Sequence, residues 1–148
     1  MAYFINNKFM NKQKIVNIML RFAMGFIFLW AFFDKVFGLG FATTADKAWI
    51  RGGSPTTGFL ANAVQGPFKN LFHGLAGMPV IDWLFMLGLL FVGLTLIFKK
   101  YVKWGCATGV IMLALMYLAL LWPANNPIID DHLVYILVLM LIAFKSEE

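Results

Sequence analysis

The stretch that decides the fold runs from residue 80 to residue 122 and reads VIDWLFMLGLLFVGLTLIF (80–98), KKYVK (99–103) and WGCATGVIMLALMYLALLW (104–122). Both flanking parts are almost entirely apolar and have about the 20 residues that an α-helix needs to cross the hydrocarbon of a bilayer. The lysine-rich link between them is long enough only for a tight turn. The stretch therefore predicts a transmembrane helical hairpin.

Two further apolar runs, residues 15–33 and 128–144, have a similar length. Asp130, Asp131 and His132 stand near the start of the last run, so its first turn is expected at the membrane interface. The sequence predicts an all-α integral membrane protein made of a single domain over residues 1–148. Its fold is predicted as a four-transmembrane-helix bundle with spans at about 15–33, 80–98, 104–122 and 128–144.

The composition supports a membrane protein and excludes several classes of function. The chain has 148 residues, of which 61% are hydrophobic and only 13% charged, whereas soluble domains carry about 25% charged residues. A soluble enzyme is excluded, and a single cysteine, Cys106, excludes a disulfide scaffold or a thiolate cluster. Two histidines leave little to hold a metal or a haem, and the sequence carries no flavin motif, so no metal site, haem or flavin is predicted.

The basic residues fall in short clusters beside the apolar runs, which is how membrane orientation is encoded, and nucleic acid is not expected as a partner. Cytoplasmic segments carry the excess of lysine and arginine, so both termini and the link 99–103 are predicted to be cytoplasmic. The lysines that give this bias are Lys8, Lys12, Lys14, Lys99, Lys100, Lys103 and Lys145.

The remaining segment, residues 34–79, is predicted on the outer side between the first and second spans. Apolar residues recur along it, among them Phe41, Trp49, Phe59 and Phe72. We expect an amphipathic helical segment that lies on the bilayer or caps the bundle.

Arg21 lies within the first span, where an arginine costs about 3 kcal/mol at mid-membrane on insertion scales. Two explanations stay open at this point. Arg21 reaches lipid headgroups or caps a neighbouring helix, or it belongs to a polar site whose acceptor is a lipid, a quinone head group or another subunit.

Polar and aromatic residues gather at the predicted outer ends of all four spans, a set that we call the outer rim. Aromatic residues at an interface are ordinary membrane anchors, but charged groups there need pairing or a task. We expect an ion pair between Lys35 and Asp131, and proton donation to a quinone by His132, Tyr135 or Asp131. The rim comprises Trp30, Asp34, Lys35, Asp82, Trp83, Tyr117, Trp122, Asp130, Asp131, His132 and Tyr135.

Four segments together resemble the DoxX/DoxD family of small four-helix membrane proteins: LRFAMGFIFLWAFFDKVFG (20–38), GFATT (40–44), WIRGGSPT (49–56) and NPIIDDH (126–132). The resemblance covers residues 15–144. It implies a bacterial or archaeal protein of the inner (cytoplasmic) membrane. In the DoxD branch it implies the large subunit of thiosulfate:quinone oxidoreductase, which joins two thiosulfates to tetrathionate and passes the electrons to quinone.

Two functions from different classes follow. The first is a quinone-linked oxidoreductase subunit with Lys35, Asp131 and His132 as catalytic residues, acting with lipids, quinone and either further copies or a larger complex. The second is an accessory subunit of a larger respiratory or redox complex, with no catalysis of its own. A transporter is less favoured because the sequence shows no inverted repeat. The predicted substrate contacts are Arg21, Trp30, Arg51 and Tyr135.

Overall fold

The computed structural model describes residues 2–123, 126 and 128–146, with side chains from residue 12 onward. Every regular element in these residues is helical. Two single 3₁₀ turns lie in the segment between the first two long helices, at Ala45–Lys47 and Trp49–Arg51. The α-helices are α1 (Ala2–Phe37), α2 (Thr57–Asn62), α3 (Lys69–His73), α4 (Pro79–Phe98), α5 (Val102–Ala119) and α6 (Asp131–Lys145).

Three helical stretches are long and apolar enough to cross a membrane: Lys12–Phe37 of α1, and α4 and α5 over their whole length. They correspond to the predicted spans 15–33, 80–98 and 104–122. The all-α class is confirmed, and these three helices are candidate spans that suggest a membrane protein. Large apolar side chains such as Phe22, Leu84 and Ile111 are exposed along them, which suggests contact with lipid.

The predicted fourth span, 128–144, corresponds to α6, which has 15 residues. At 1.5 Å per residue it is about 22 Å long, short of the roughly 30 Å of hydrocarbon in a bilayer. Asp130 caps its first turn, because its carboxylate accepts a hydrogen bond from the backbone N–H of Leu133 at 3.2 Å. Whether α6 crosses the membrane stays a prediction.

The four long helices pack in a ring in the order α1, α4, α5, α6, with α6 returning to α1. Small residues let the backbones come close, as is common between membrane helices. A Cβ on Gly93 of α4 would lie 2.5 Å from Cγ of Leu29 in α1, and one on Gly105 of α5 would meet Thr95 of α4. The buried interior between the helices includes Met24, Phe28, Met86, Val92, Leu96, Leu139 and Ile142.

The bundle has two chemically different ends. At the loop end, α1 finishes and α4 begins, and the loop segment (residues 38–78) covers them. At the lysine end, α4 passes into α5 through Lys99, Lys100 and Tyr101, and both Lys99 and Tyr101 adopt positive φ, near 57° and 58°. Helical structure in the loop segment is limited to α2, α3 and the two 3₁₀ turns. Its placement along a bilayer stays a prediction.

Candidate functional site

Asp34, in the last turn of α1, is a buried carboxylate that organises the start of the loop segment. Its two oxygens accept hydrogen bonds from the backbone N–H groups of Phe41 at 3.2 Å and Ala42 at 3.0 Å. Gly38, with φ of +66°, makes the turn that brings these groups back over the helix end. Because burial of a charge costs free energy unless hydrogen bonds compensate it, Asp34 serves the fold of the loop.

Asp82, in the first turn of α4, is a second buried carboxylate and holds the middle of the loop segment. Its Oδ1 accepts hydrogen bonds from Ser54 Oγ at 2.8 Å, Thr56 Oγ1 at 2.5 Å and the Thr56 backbone N–H at 3.2 Å. Ser54 Oγ in turn accepts from the Thr57 hydroxyl at 2.7 Å. We call Ser54, Thr56, Thr57 and Asp82 the hydroxyl clamp. Sequence reasoning placed Asp82 on the outer rim but missed its partners, although three hydroxyl residues around Pro55 were a usable signal.

The two outer-rim tryptophans on α1 and α4 both take part in aromatic pairs. Trp83 meets Trp49 of the loop segment edge to face, with ring centroids 4.7 Å apart. Trp30, a predicted substrate contact, is exposed and pairs with Phe26 and with Phe41, whose centroids lie 5.8 and 5.1 Å away. These contacts are those of packing and interface anchoring.

The expected ion pair between Lys35 and Asp131 is not formed within the described residues. Lys35 is half-buried, and its Nζ lies 5.9 Å from the centre of the Phe85 ring on α4. A ring face attracts a cation, and α1 packs more extensively on α4 than on α6. Asp131 is exposed at the start of α6. The ion-pair prediction was therefore wrong.

His132 and Asp130 form the best-defined polar pair at the loop end. Nδ1 of His132 lies 2.6 Å from Oδ2 of Asp130, and both side chains are largely but not fully buried, at 18% and 14% exposure. The other carboxylate oxygen of Asp130 caps α6, so a single residue fixes both the helix start and the imidazole orientation. This contact leaves Nε2 as the ring nitrogen available to a ligand.

A pocket of about 330 Å³ opens beside this pair, a volume at the lower end of the range for small-molecule sites. We call it the His132 pocket. Gln65 contributes from the loop segment, and its side-chain amide donates to the carbonyls of Leu120 at 3.3 Å and Trp122 at 3.0 Å. The structure thus brings two predicted catalytic residues, Asp131 and His132, to one wall. The described lining is Gln65, Leu120, Pro123, Ile129, Asp130, Asp131 and His132.

The other predicted site residues lie elsewhere. Tyr135 packs against the helical interior and does not line the His132 pocket. Arg51 is exposed on the loop segment near Asp46 and Lys47. The pKa of Asp46 is lowered chiefly by a hydrogen bond with the Thr44 side chain and then by a hydrogen bond with the Asp46 backbone. The positive charges of Lys47 and Arg51 lower it to a smaller extent.

Arg21 lies near the lysine end, 14 positions before Lys35 and therefore about 21 Å from it along α1. Its Nη1 donates to the carbonyl of Leu96 and, at 3.2 Å, to that of Ile97. These carbonyls belong to the last turn of α4, which has no intrahelical donors for them. Of the two explanations left open by the sequence, the structure shows the helix cap.

No cluster of three or more His, Cys, Asp or Glu side chains suited to a metal ion occurs in the part of the chain that the structure describes. Cys106 is a buried free thiol in α5. Comparison with family models, with curated proteins and with solved structures finds no match for this chain.

Proposed function

We propose that the chain is a multi-pass membrane protein of the DoxX/DoxD type that works with a quinone. In this proposal α6 is the fourth span, extended toward the loop end by Ile128 and Ile129. The lysine end faces the cytoplasm, because Lys99, Lys100 and Lys103 flank two spans at that end. The loop end then faces the opposite side of the inner membrane.

The observation that carries the quinone proposal is the His132–Asp130 pair on the wall of the His132 pocket. Reduction of a quinone adds two electrons and two protons, so its carbonyl oxygens need proton donors within hydrogen-bond reach. An imidazole held by a carboxylate keeps a fixed orientation, and its other ring nitrogen can pass a proton to a carbonyl oxygen within hydrogen-bond reach. The pocket opens at the end of the bundle, where a lipid-soluble head group can enter from the bilayer.

The proposed electron donor is thiosulfate, two of which give tetrathionate and release two electrons to the quinone. Arg51, with Lys47 beside it on the exposed loop segment, is the proposed first contact for the anion. Lys35 lies at the same end of the bundle, with its Nζ over the Phe85 ring. Arg51 is exposed to an approaching anion, whereas Lys35 is half-buried, so we assign anion capture to Arg51.

The test is thiosulfate-dependent reduction of a soluble quinone analogue by membranes with and without the chain, followed in the quinone absorbance band. His132→Gln is expected to lower the gene-dependent rate by about 10²-fold or more, the range for loss of a proton-transferring side chain. His73→Gln, the same change at the other histidine, is the matched control and should keep the rate. Equal loss in both variants would contradict the assignment of the pocket.

An accessory, non-catalytic subunit is the second candidate. It is favoured because the two buried carboxylates bind the protein's own loop segment and are not free for a substrate. Asp34 and Asp82 are both engaged in holding the loop segment on the helix ends. This leaves Phe41, Ile50 and Leu71 exposed outside the long helices, at 73%, 64% and 64%. A rigid apolar cover of this kind fits a soluble partner subunit of a redox complex.

The two candidates separate in one experiment. An accessory subunit shows no thiosulfate-dependent turnover and loses its partner in co-purification when Ile50 and Leu71 are changed to Ser. An enzyme keeps turnover in that variant and loses it in His132→Gln.

A further inference from the structure

A second pocket, of about 400 Å³, lies at the lysine end, and nothing in the redox proposal uses it. It forms where the first membrane-embedded turns of α1 meet the turn after α4 and the last turn of α6. We call it the lysine-end pocket. Its described lining carries four cationic side chains and no acidic one; the cations are Lys14, Arg21, Lys99 and Lys145.

These four charges have no carboxylate partner in the described residues. The hydrogen bonds of Arg21 go to two backbone carbonyls at the end of α4, whose partial negative charge balances the guanidinium charge only in part. Both bonds use Nη1, and a guanidinium has five N–H donors. The donors on Nη2 and Nε therefore remain for a second acceptor. Like charges around one cavity repel one another, and an anion between them removes that cost.

Two further features of the wall fit an anion that also carries a hydroxyl group. The amide oxygen of Asn17 is buried and has no hydrogen-bond partner. A ligand hydroxyl would supply the donor that it lacks. Val102 brings the first turn of α5 to the pocket, and the N-cap residue, Tyr101, makes no capping bond with its side chain. The positive end of the α5 dipole attracts an anion, and it offsets part of the repulsion from the negative ends of α4 and α6, which also reach the pocket.

The position of the pocket indicates the source of such an anion. It lies at the ends of three candidate spans, Lys12–Phe37, α4 and α5, and the ends of membrane spans lie near the lipid phosphates. Lysine side chains at this depth reach toward headgroups. Ile18, which is exposed on α1, gives the pocket an apolar side that would face acyl chains.

We propose that the lysine-end pocket binds a phosphate group, carried by an anionic lipid headgroup or present as a free ion. Lys14, Lys99 and Lys145 surround its charge, Arg21 donates through its free guanidinium edges, and Asn17 accepts from a hydroxyl. The proposal does not depend on the quinone chemistry at the other end.

The test uses the full chain purified in detergent and native mass spectrometry with added ligand. The probes are phosphatidylglycerol, phosphatidylcholine and inorganic phosphate. Lys14→Gln with Lys145→Gln removes two charges from the pocket. Lys12→Gln with Lys100→Gln is the matched control, because it removes two charges from the same end but from outside the lining. Size-exclusion profiles and far-UV circular dichroism verify that both variants are folded.

We expect one phosphatidylglycerol to bind at least tenfold more tightly than phosphatidylcholine. Each basic residue near an anionic headgroup contributes about 1 kcal/mol, so the pocket variant should bind phosphatidylglycerol about tenfold to thirtyfold more weakly than the parent chain. The control variant should bind it within about twofold of the parent chain. Inorganic phosphate that binds with the same dependence on Lys14 and Lys145 would support the site and identify a free ion as its ligand. Equal weakening in both variants, or equal binding of the two lipids, would overturn the proposal.

Discussion

At the scale of single residues, the hydroxyl clamp gives the clearest prediction for stability. Asp82→Ala leaves the hydroxyl groups of Ser54 and Thr56 and a backbone N–H without their acceptor in a buried position. We expect the free energy of unfolding to fall by about 3 kcal/mol. Asp82→Asn keeps one acceptor oxygen and should lose less. The measurement is denaturant unfolding in detergent micelles, monitored by near-UV circular dichroism of the tryptophans, because Trp83 is next to the clamp residue Asp82.

Asp131→Ala is the control for this comparison, because Asp131 carries the same charge in the same turn of its own helix but is exposed. Its removal should change the free energy of unfolding by less than about 1 kcal/mol. If Asp82→Ala proved no more harmful than Asp131→Ala, the loop segment would not depend on the clamp.

Arg21 gives a second prediction at this scale. Arg21→Met keeps much of the apolar stem but removes the donors that cap the last turn of α4. Without added anionic lipid we expect a loss of about 2 kcal/mol in the free energy of unfolding, and Arg21→Lys should restore part of it, since an ammonium also donates to carbonyls. The same unfolding titration measures both. A fully stable Arg21→Met variant would show that water or lipid caps the helix equally well.

The candidate site was predictable only in part, and the reason lies in where side chains find partners. Asp131 and His132 are the first two residues of α6, so topology alone placed them at one end of the bundle. The arrival of Gln65 from the loop segment depends on hydrogen bonds to Leu120 and Trp122, which are far away in the sequence. The pairing of His132 with Asp130 is local, two positions apart, but it forms only because Asp130 adopts the conformation that caps α6. The Nζ of Lys35 lies over the Phe85 ring and not beside the carboxylate of Asp131, and the spacing of residues in the sequence does not predict this contact.

At the scale of elements, helix positions followed the apolar runs closely and helix ends did not. The run 80–98 matches α4 because Pro79 begins the helix and apolar residues continue to Phe98. Apolar residues continue to Trp122 as well, yet α5 ends at Ala119, whose carbonyl accepts from the backbone N–H of Gln65. That bond comes from the loop segment and is invisible in local hydropathy.

The contact between α4 and α5 supplies the prediction for elements. A Cβ at Gly105 would overlap the Thr95 hydroxyl, which is itself bonded to the Val92 carbonyl at 3.0 Å. We expect Gly105→Ala to force the helices apart and lower the free energy of unfolding by about 1–3 kcal/mol. Gly58→Ala in α2 is the control, since its Cβ meets nothing within 4 Å and alanine favours a helix.

Thermal and denaturant unfolding of both glycine variants in the same detergent measures the difference. A Gly105→Ala variant as stable as Gly58→Ala would mean that α4 and α5 are not in close contact where Gly105 faces Thr95.

At the scale of the whole molecule, the open question is whether α6 crosses the bilayer, because 15 helical residues are short for a span. The ring of helices favours crossing, since α6 packs along both α5 and α1. Asp130, which caps α6, and Lys145, in its last turn, then lie near opposite interfaces, and the extended residues before the helix complete the length.

Cysteine labelling decides this. In a Cys106→Ala background, single cysteines are placed at Asn70 of the loop segment, at Lys100 in the lysine-end turn and at Ser146 after α6. If α6 crosses, Cys at 146 reacts with a membrane-impermeant maleimide from the same side as Cys at 100 and from the side opposite to Cys at 70. The excess of lysine predicts that only position 70 is labelled in intact cells. Labelling of positions 70 and 146 from one side would make α6 an interfacial helix, and the His132 pocket would then lie at the membrane surface beside it.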